Sequence, residues 1–147
     1  MTEAGSDARL VCLEGIMQHA ELSVQTRTQN ELVAITAQVA ELVSRNGWQD
    51  GVLTLFVPHT TAGITINENA DPDVARDMLW FTEQLVPNLA GFRHAEGNSA
   101  AHIKASLFGS SVQVIVRGGS LWLGTWQGIY FCEFDGPRHR QLLLGFS

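Results

Sequence analysis

The run Val52 to Val57, VLTLFV, is almost wholly apolar, rich in β-branched and aromatic side chains, and stopped by Pro58. It demands a central strand of a sheet. The next segment is chemically its opposite. From Pro58 to Asp73 the chain reads PHTTAGITINENADPD, with a histidine, three threonine hydroxyls, two asparagine amides and three carboxylates. A chain that needed only a turn would not gather these residue types, so the stretch is a candidate polar site mounted on the edge of a sheet.

The remaining pattern places that strand in an α+β domain, an antiparallel sheet or sandwich with about three helices. Gly15 to Thr28 reads as extended and Leu32 to Ile35 as a short strand. Thr36 is positioned to cap a helix through Arg45, with Val39, Leu42 and Val43 as its apolar stripe and Asn46-Gly47 as its end. Thr60 to Asn67 alternates, with Ala62, Ile64 and Ile66 on one face and Thr61, Gly63, Thr65 and Asn67 on the other. Asp71-Pro72 signals a helix start, and Val74, Met78, Phe81 and Leu85 supply a stripe expected to be buried. A second short helix, AAHIKASLFG, ends at Gly109. The rest predicts strands over Val112–Arg117, Ser120–Trp126, Ile129–Phe134 and His139–Phe146, with turns at Gly118-Gly119 and Asp135-Gly136-Pro137.

At 147 residues with 45% hydrophobic and 16% charged side chains, the chain is long enough for one well-cored domain and too apolar for disorder. Residues 1–8 read as a loose polar leader and 9–147 as the domain. A net charge of −6 argues against nucleic acid as a partner. No stretch has the apolar length of a membrane span or the form of a secretory signal. Cys12 and Cys132 match no CxxC spacing, which excludes a disulfide scaffold and favours a reducing cytoplasm.

Among polar residues, His59 stands at the end of the apolar strand, where a turn role and a functional role are both open. Thr60, Thr61, Asn67, Glu68 and Asn69 offer donors and acceptors for a phosphate or another polar ligand. Asp71 is accounted for as a helix cap. Glu68 continues the Ala62-Ile64-Ile66 side of the alternation. His102 and Lys104 lie in the short helix AAHIKASLFG, where the default role is a boundary histidine and a solvated charge. Cys132 and Glu133, adjacent on a strand, face opposite ways. The spacing between His59, His102 and Cys132 matches no local metal signature.

Three blocks, FVPHTTAGITINENADPDV, RHAEGNSAAHIKASLFG and LGTWQGIYFCEFDGPR, resemble in order and spacing the YjbQ-like family, named for secondary thiamine-phosphate synthase enzymes. The resemblance spans nearly the whole chain from about Gly15. It implies an antiparallel β-sandwich, a homotrimer, and a pocket formed by His59, Thr60, Thr61, Asn67, Glu68, Asn69, Asp71, Asn98, His102, Gln127, Cys132 and Glu133. One position departs from the pattern: Ala100 stands where the family often has an aspartate.

The activity so implied joins a pyrimidine methyl diphosphate to a thiazole phosphate and releases pyrophosphate, a small phosphorylated metabolite being the partner. It needs no organic cofactor but suits a divalent metal. In that reading Glu68 and Asp71 hold Mg²⁺, Thr60, Thr61, Asn67, Asn69, Asn98, Gln127 and Glu133 contact substrate, and His59, His102 and Cys132 are catalytic. The basic groups in view, Lys104, Arg117, Arg138 and the histidines, are few for two phosphorylated substrates. Two other readings stay open: a hydrolase-like enzyme with Zn²⁺ on His59, His102 and Cys132 or Glu68, and a non-enzymatic trimer that binds a metabolite or metal.

Overall fold

A computed structural model of the chain describes residues 17–147. The expected leader and Cys12 lie outside these residues. The elements run β1 (Gln18–Gln25), β2 (Glu31–Ala34), α1 (Thr36–Arg45), β3 (Gly51–Phe56), β4 (Ala62–Glu68), α2 (Pro72–Leu85), α3 (Ser99–Phe108), β5 (Ser111–Arg117), β6 (Ser120–Leu121), β7 (Gln127–Glu133) and β8 (His139–Phe146). Strands β1-β8-β3-β5-β6 form one sheet and β2-β7-β4 another, every pairing antiparallel. The expected α+β class, with an antiparallel sandwich and three helices, is the observed one. No helix among the described residues is long and apolar enough to cross a membrane.

The main core lies between the sheets. Leu53, Leu55, Val114, Val116, Leu142 and Leu144 of the larger sheet meet Ile64, Ile129 and Phe131 of the smaller, with Val39 and Val43 of α1 packed in. The Trp48 ring stacks on Phe146 with centroids 5.1 Å apart and closes one end. Because β-strand side chains alternate, the outer face of β7 must be covered separately. Tyr130, Cys132 and Phe134 on that face pack against Ala101 and Ala105 of α3. The smaller sheet is therefore a middle layer.

Helix ends obey the local chemistry. The Asp71 carboxylate accepts from the Asp73 N–H at 2.9 Å and caps α2, as its position before Pro72 predicts. Gly47, at φ 66°, ends α1 in a left-handed turn that only glycine adopts readily. Gly63 lets β4 approach α3, because a Cβ there would lie 2.8 Å from the Gly109 carbonyl oxygen.

Strand β3 is central, as expected; Leu53 and Leu55 face the core, while Val52 and Phe56 are exposed. Three expectations are corrected. Thr36 is the first helical residue rather than the cap, and its hydroxyl accepts from the Ile129 N–H at 2.9 Å. The strand expected over Ser120–Trp126 stops at Leu121. From there the Trp122 N–H still bonds the Ile115 carbonyl, but the Gly124 N–H turns to the Gln127 side chain at 2.8 Å and the ladder ends. Finally, the α2 stripe is not buried in the single chain: Phe81 is 58% and Leu85 59% exposed. Periodicity identifies an apolar face but not what covers it.

Candidate functional site

The segment between β3 and β4 is held by the α3–β5 junction: the Val57 N–H donates to the Ser110 carbonyl at 2.8 Å, and the Ile64 N–H donates to that of Gly109 at 3.1 Å. His59 and Thr60 thereby face His102 on α3. A cavity of about 510 Å³ opens there, bounded also by Ala105, Ser106 and Ser110. A second, of about 450 Å³, shares His59, Thr60 and His102 and extends over Thr61, His94, Glu96, Asn98, Asp135, Arg138 and Arg140. The two form one polar cleft. His59 and His102 line it together within one chain.

Each group in the cleft has a physical reason for its state. His59 Nε2 accepts the Gln141 N–H at 2.9 Å, which keeps that nitrogen unprotonated and leaves the ring proton on Nδ1. Burial, seconded by the Arg140 cation, holds the His59 pKa below its usual value, with the Glu133 carboxylate opposing. His59 is thus set up as a neutral hydrogen-bond donor rather than a free base. The His94 and His102 rings meet edge to face, with centroids 5.4 Å apart.

The floor is a buried ion pair. The Glu133 side chain is fully enclosed and that of Arg140 is 6% exposed. Arg140 Nη2 donates to Glu133 Oε2 at 2.6 Å, and Nε donates to Oε1 at 2.9 Å. Glu133 also receives the Thr26 hydroxyl at 2.8 Å and the Phe134 N–H at 3.1 Å, while Arg140 Nη2 donates to the Thr61 hydroxyl at 2.8 Å. So many partners are what allow two charges to be enclosed. Asp135 supports the rim, accepting from Asn98 Nδ2 at 2.9 Å and from Arg138 Nη2 at 3.1 Å.

The single polar stretch read from the sequence divides in space. His59, Thr60, Thr61, Asn98 and His102 line the cleft. Asn67, Glu68, Asn69, Asp71 and Gln127 do not, because β4 carries them away by ~3.3 Å per residue, roughly 20 Å from its first residue to its last. There they have structural partners: Glu68 lies opposite Gln127 in register, and the Tyr130 hydroxyl bonds the Glu68 carbonyl and the Asn69 side chain. Asn67 accepts from the Glu68 N–H, Gln127 accepts from the Gly124 N–H, and Asp71 caps α2.

Glu133 faces Arg140 instead of a substrate. Cys132 is fully buried under α3, and burial pushes its thiol pKa far up, against its expected catalytic place in the pocket. The Zn²⁺ set His59, His102 and Cys132 is therefore not assembled. Among the described residues, no three His, Cys, Asp or Glu side chains gather as a metal site would require.

Arg140, His94 and Glu96 are on the lining but escape a reading of single motifs. Arg140 has a signal in the sequence. It is in phase with Leu142, Leu144 and Phe146 on β8, as Glu133 is with Ile129 and Phe131 on β7, and a charge in phase with core residues needs a buried partner. His94 sits in a loop with no periodicity to mark it.

A family model described as UPF0047 protein YjbQ-like matches residues 20–147. A UPF0047 protein of Methanocaldococcus jannaschii is 52% identical over 121 residues, 82% of this chain and 88% of that protein. The UPF0047 protein YugU of Bacillus subtilis is 52% identical over 120 residues, 81% of this chain and 91% of that one. Among crystal structures, a YjbQ/UPF0047 family protein of Clostridium acetobutylicum is similar with a TM-score of 0.83 and 52% identity, covering 87% of this chain and 99% of that one. A protein of Aeropyrum pernix gives a TM-score of 0.84 at 35% identity, covering 89% and 98%. These names carry a family and no reaction.

The site's construction has two measurable consequences. Arg140→Met strands a buried carboxylate and should cost about 3–5 kcal/mol in urea unfolding, with Glu133→Gln in the same background recovering part of the loss. A cost under about 1 kcal/mol would show the pair to be hydrated. In a Cys12→Ser background, Cys132 should react with iodoacetamide only once denaturant unfolds the chain; rapid alkylation at neutral pH would place the thiol at the cleft after all.

Proposed function

The chain belongs to the YjbQ-like UPF0047 family, and we propose that its cleft binds a small phosphorylated metabolite and that its reaction is of the secondary thiamine-phosphate synthase type. One observation carries this: three imidazoles and two guanidinium groups line a single cavity, together with the carboxylates of Glu96 and Asp135. Five nitrogen-bearing side chains in one place offer hydrogen-bond donors to an oxyanion, and planar guanidinium groups suit phosphate oxygens. Arg140 supplies basic character that the sequence blocks by themselves lack.

In such a reaction the methylene–oxygen bond of the pyrimidine methyl diphosphate breaks as the thiazole nitrogen forms a bond to the same methylene. Pyrophosphate departs with the electron pair. The chain's contribution is electrostatic: Arg138, Arg140 and the Nδ1–H of His59 face the charge that grows on the leaving oxygens. Thr60 orients a phosphate, and His102, with His94 at its edge, turns a further ring nitrogen toward it. Mg²⁺ arriving with a diphosphate needs only one or two protein carboxylates, and Glu96 and Asp135 are those on the lining. The ion would neutralise leaving-group charge.

The test is calorimetric titration with inorganic pyrophosphate, then an assay of pyrophosphate release from the two phosphorylated substrates with Mg²⁺. Arg138→Ala and His102→Ala should each weaken pyrophosphate binding about tenfold, the scale of one charge-assisted hydrogen bond. Binding without release would leave a metabolite-binding protein; no binding would remove both.

We also propose that the chain is a homotrimer. Trp80, Phe81, Leu85 and Leu89 around α2, Leu107 of α3, and Trp122 and Trp126 are all more than half exposed, far more apolar surface than a monomer normally leaves to water. Light scattering should give three times the 16.1 kDa chain mass, and a monomer mass at micromolar concentration would overturn it.

A further inference from the structure

Lys104 is a lysine in the wrong phase. On α3 it shares the buried face with Ala100, Ala101 and Ala105, and only 6% of it is exposed, so it is not the solvated charge that its sequence suggests. Its ammonium carries three donors, yet among the described residues the only bond it makes is a 3.3 Å contact to Asn30 Oδ1. It borders a cavity of about 250 Å³, walled on one side by Val86, Pro87, Ala101 and Phe134. Asn98 stands on the same wall and also on the wall of the histidine cleft.

Asn98 is unusual in a complementary way. It occupies the position before α3 but its side chain does not cap the helix. Its Nδ2 is engaged by Asp135, while Oδ1 is buried and, among the described residues, has no donor. A buried acceptor left unpaired is costly. Two residues on the wall of one small cavity thus carry, respectively, a cation short of acceptors and a buried acceptor short of donors. Glu83 on its rim adds a negative charge.

We infer that this cavity is a second ligand site, distinct from the histidine cleft, for a small zwitterion of the amino-acid class. The carboxylate lies on Lys104, and the ammonium lies between Asn98 Oδ1 and Glu83. A phosphate or a simple carboxylate would answer Lys104 but leave Asn98 unpaired, and an amine would do the reverse. The size agrees, since the volume is below the range usual for larger organic ligands. Burial lowers the Lys104 pKa, with Glu83 opposing, so a bound carboxylate would draw it back up.

The experiment uses the full-length chain and monitors the backbone amide resonances of Ala100, Ala101 and Lys104 during titration with a panel of free amino acids. Acetate and methylammonium serve as half-probes. At least one amino acid should saturate these shifts with an affinity about tenfold or more above either half-probe, the scale of one charge-assisted hydrogen bond. Lys104→Met, which keeps the length and apolar stem, should lose that binding while pyrophosphate binding in the histidine cleft is unchanged. The inference fails if no amino acid moves the three amides, if acetate binds as well as the zwitterion, or if Lys104→Met binds like the parent. Should Lys104→Met not fold, the half-probe comparison on the unaltered chain decides alone. A high-resolution crystal soaked with the amino acid that shows only water bridging Lys104 and Asn98 would also overturn it.

Discussion

Glu133 and Arg140 tie the architecture to the cleft. Glu133 ends β7 of the smaller sheet and Arg140 is the second residue of β8 in the larger, so their bidentate contact joins the two layers at one corner. Hydrogen bonds from Thr26 to Glu133 and from Arg140 to Thr61 draw in the end of β1 and the start of β4. Enclosing two charges costs several kcal/mol each before their attraction is counted. The arrangement is therefore tolerable in only one alignment of four chain segments. A shift of β8 by one residue would present His139 or Gln141 to Glu133 and leave the carboxylate unpaired.

The same alignment fixes the cleft. Gln141 comes directly after Arg140, and its N–H sets the tautomer of His59; Thr61 is clamped by Arg140 two residues after His59. Arg140 also faces the cavity and adds to burial in lowering the His59 pKa. A structural salt bridge and the cleft's electrostatics thus share one guanidinium. Weakening it would disturb sheet packing and anion affinity together, so loss of binding in an Arg140 variant, taken alone, says little about direct contact with ligand.

Much of this fold was legible in the sequence because strand and helix periods are local properties. Alternation in Ala62, Ile64 and Ile66 named the core face of β4, and Asp71-Pro72 named the start of α2. The failures have a common cause. Phe81 and Leu85 have the composition of core residues, but a pattern along one segment does not encode which surface lies opposite. The site shows the same limit: residues adjacent in the PHTTAGITINENADPD stretch suggest one cluster, yet an extended strand separates neighbours faster than any other conformation. Its histidine end joins α3 and β8, and its Glu68 end joins β7. Arg140 is the converse case, with its burial written in the phase of β8 and visible only when β7 is read beside it.

Ala100 shows how a single departure can redirect a site. It lies on α3 four residues before Lys104, on the same buried face, and borders the same cavity. The resembled family often has an aspartate at this position, and residues four apart on a helix are close enough to pair. An aspartate there would neutralise Lys104 internally and occupy part of the cavity. With alanine the ammonium keeps its burial and loses that carboxylate, which raises the cost of the charge unless another anion answers it. Restoring the acid by Ala100→Asp separates the alternatives. If Lys104 serves a ligand, the internal carboxylate competes and weakens amino-acid binding. If Lys104 only props the helix, the pairing stabilises the chain and ligand behaviour is unaltered.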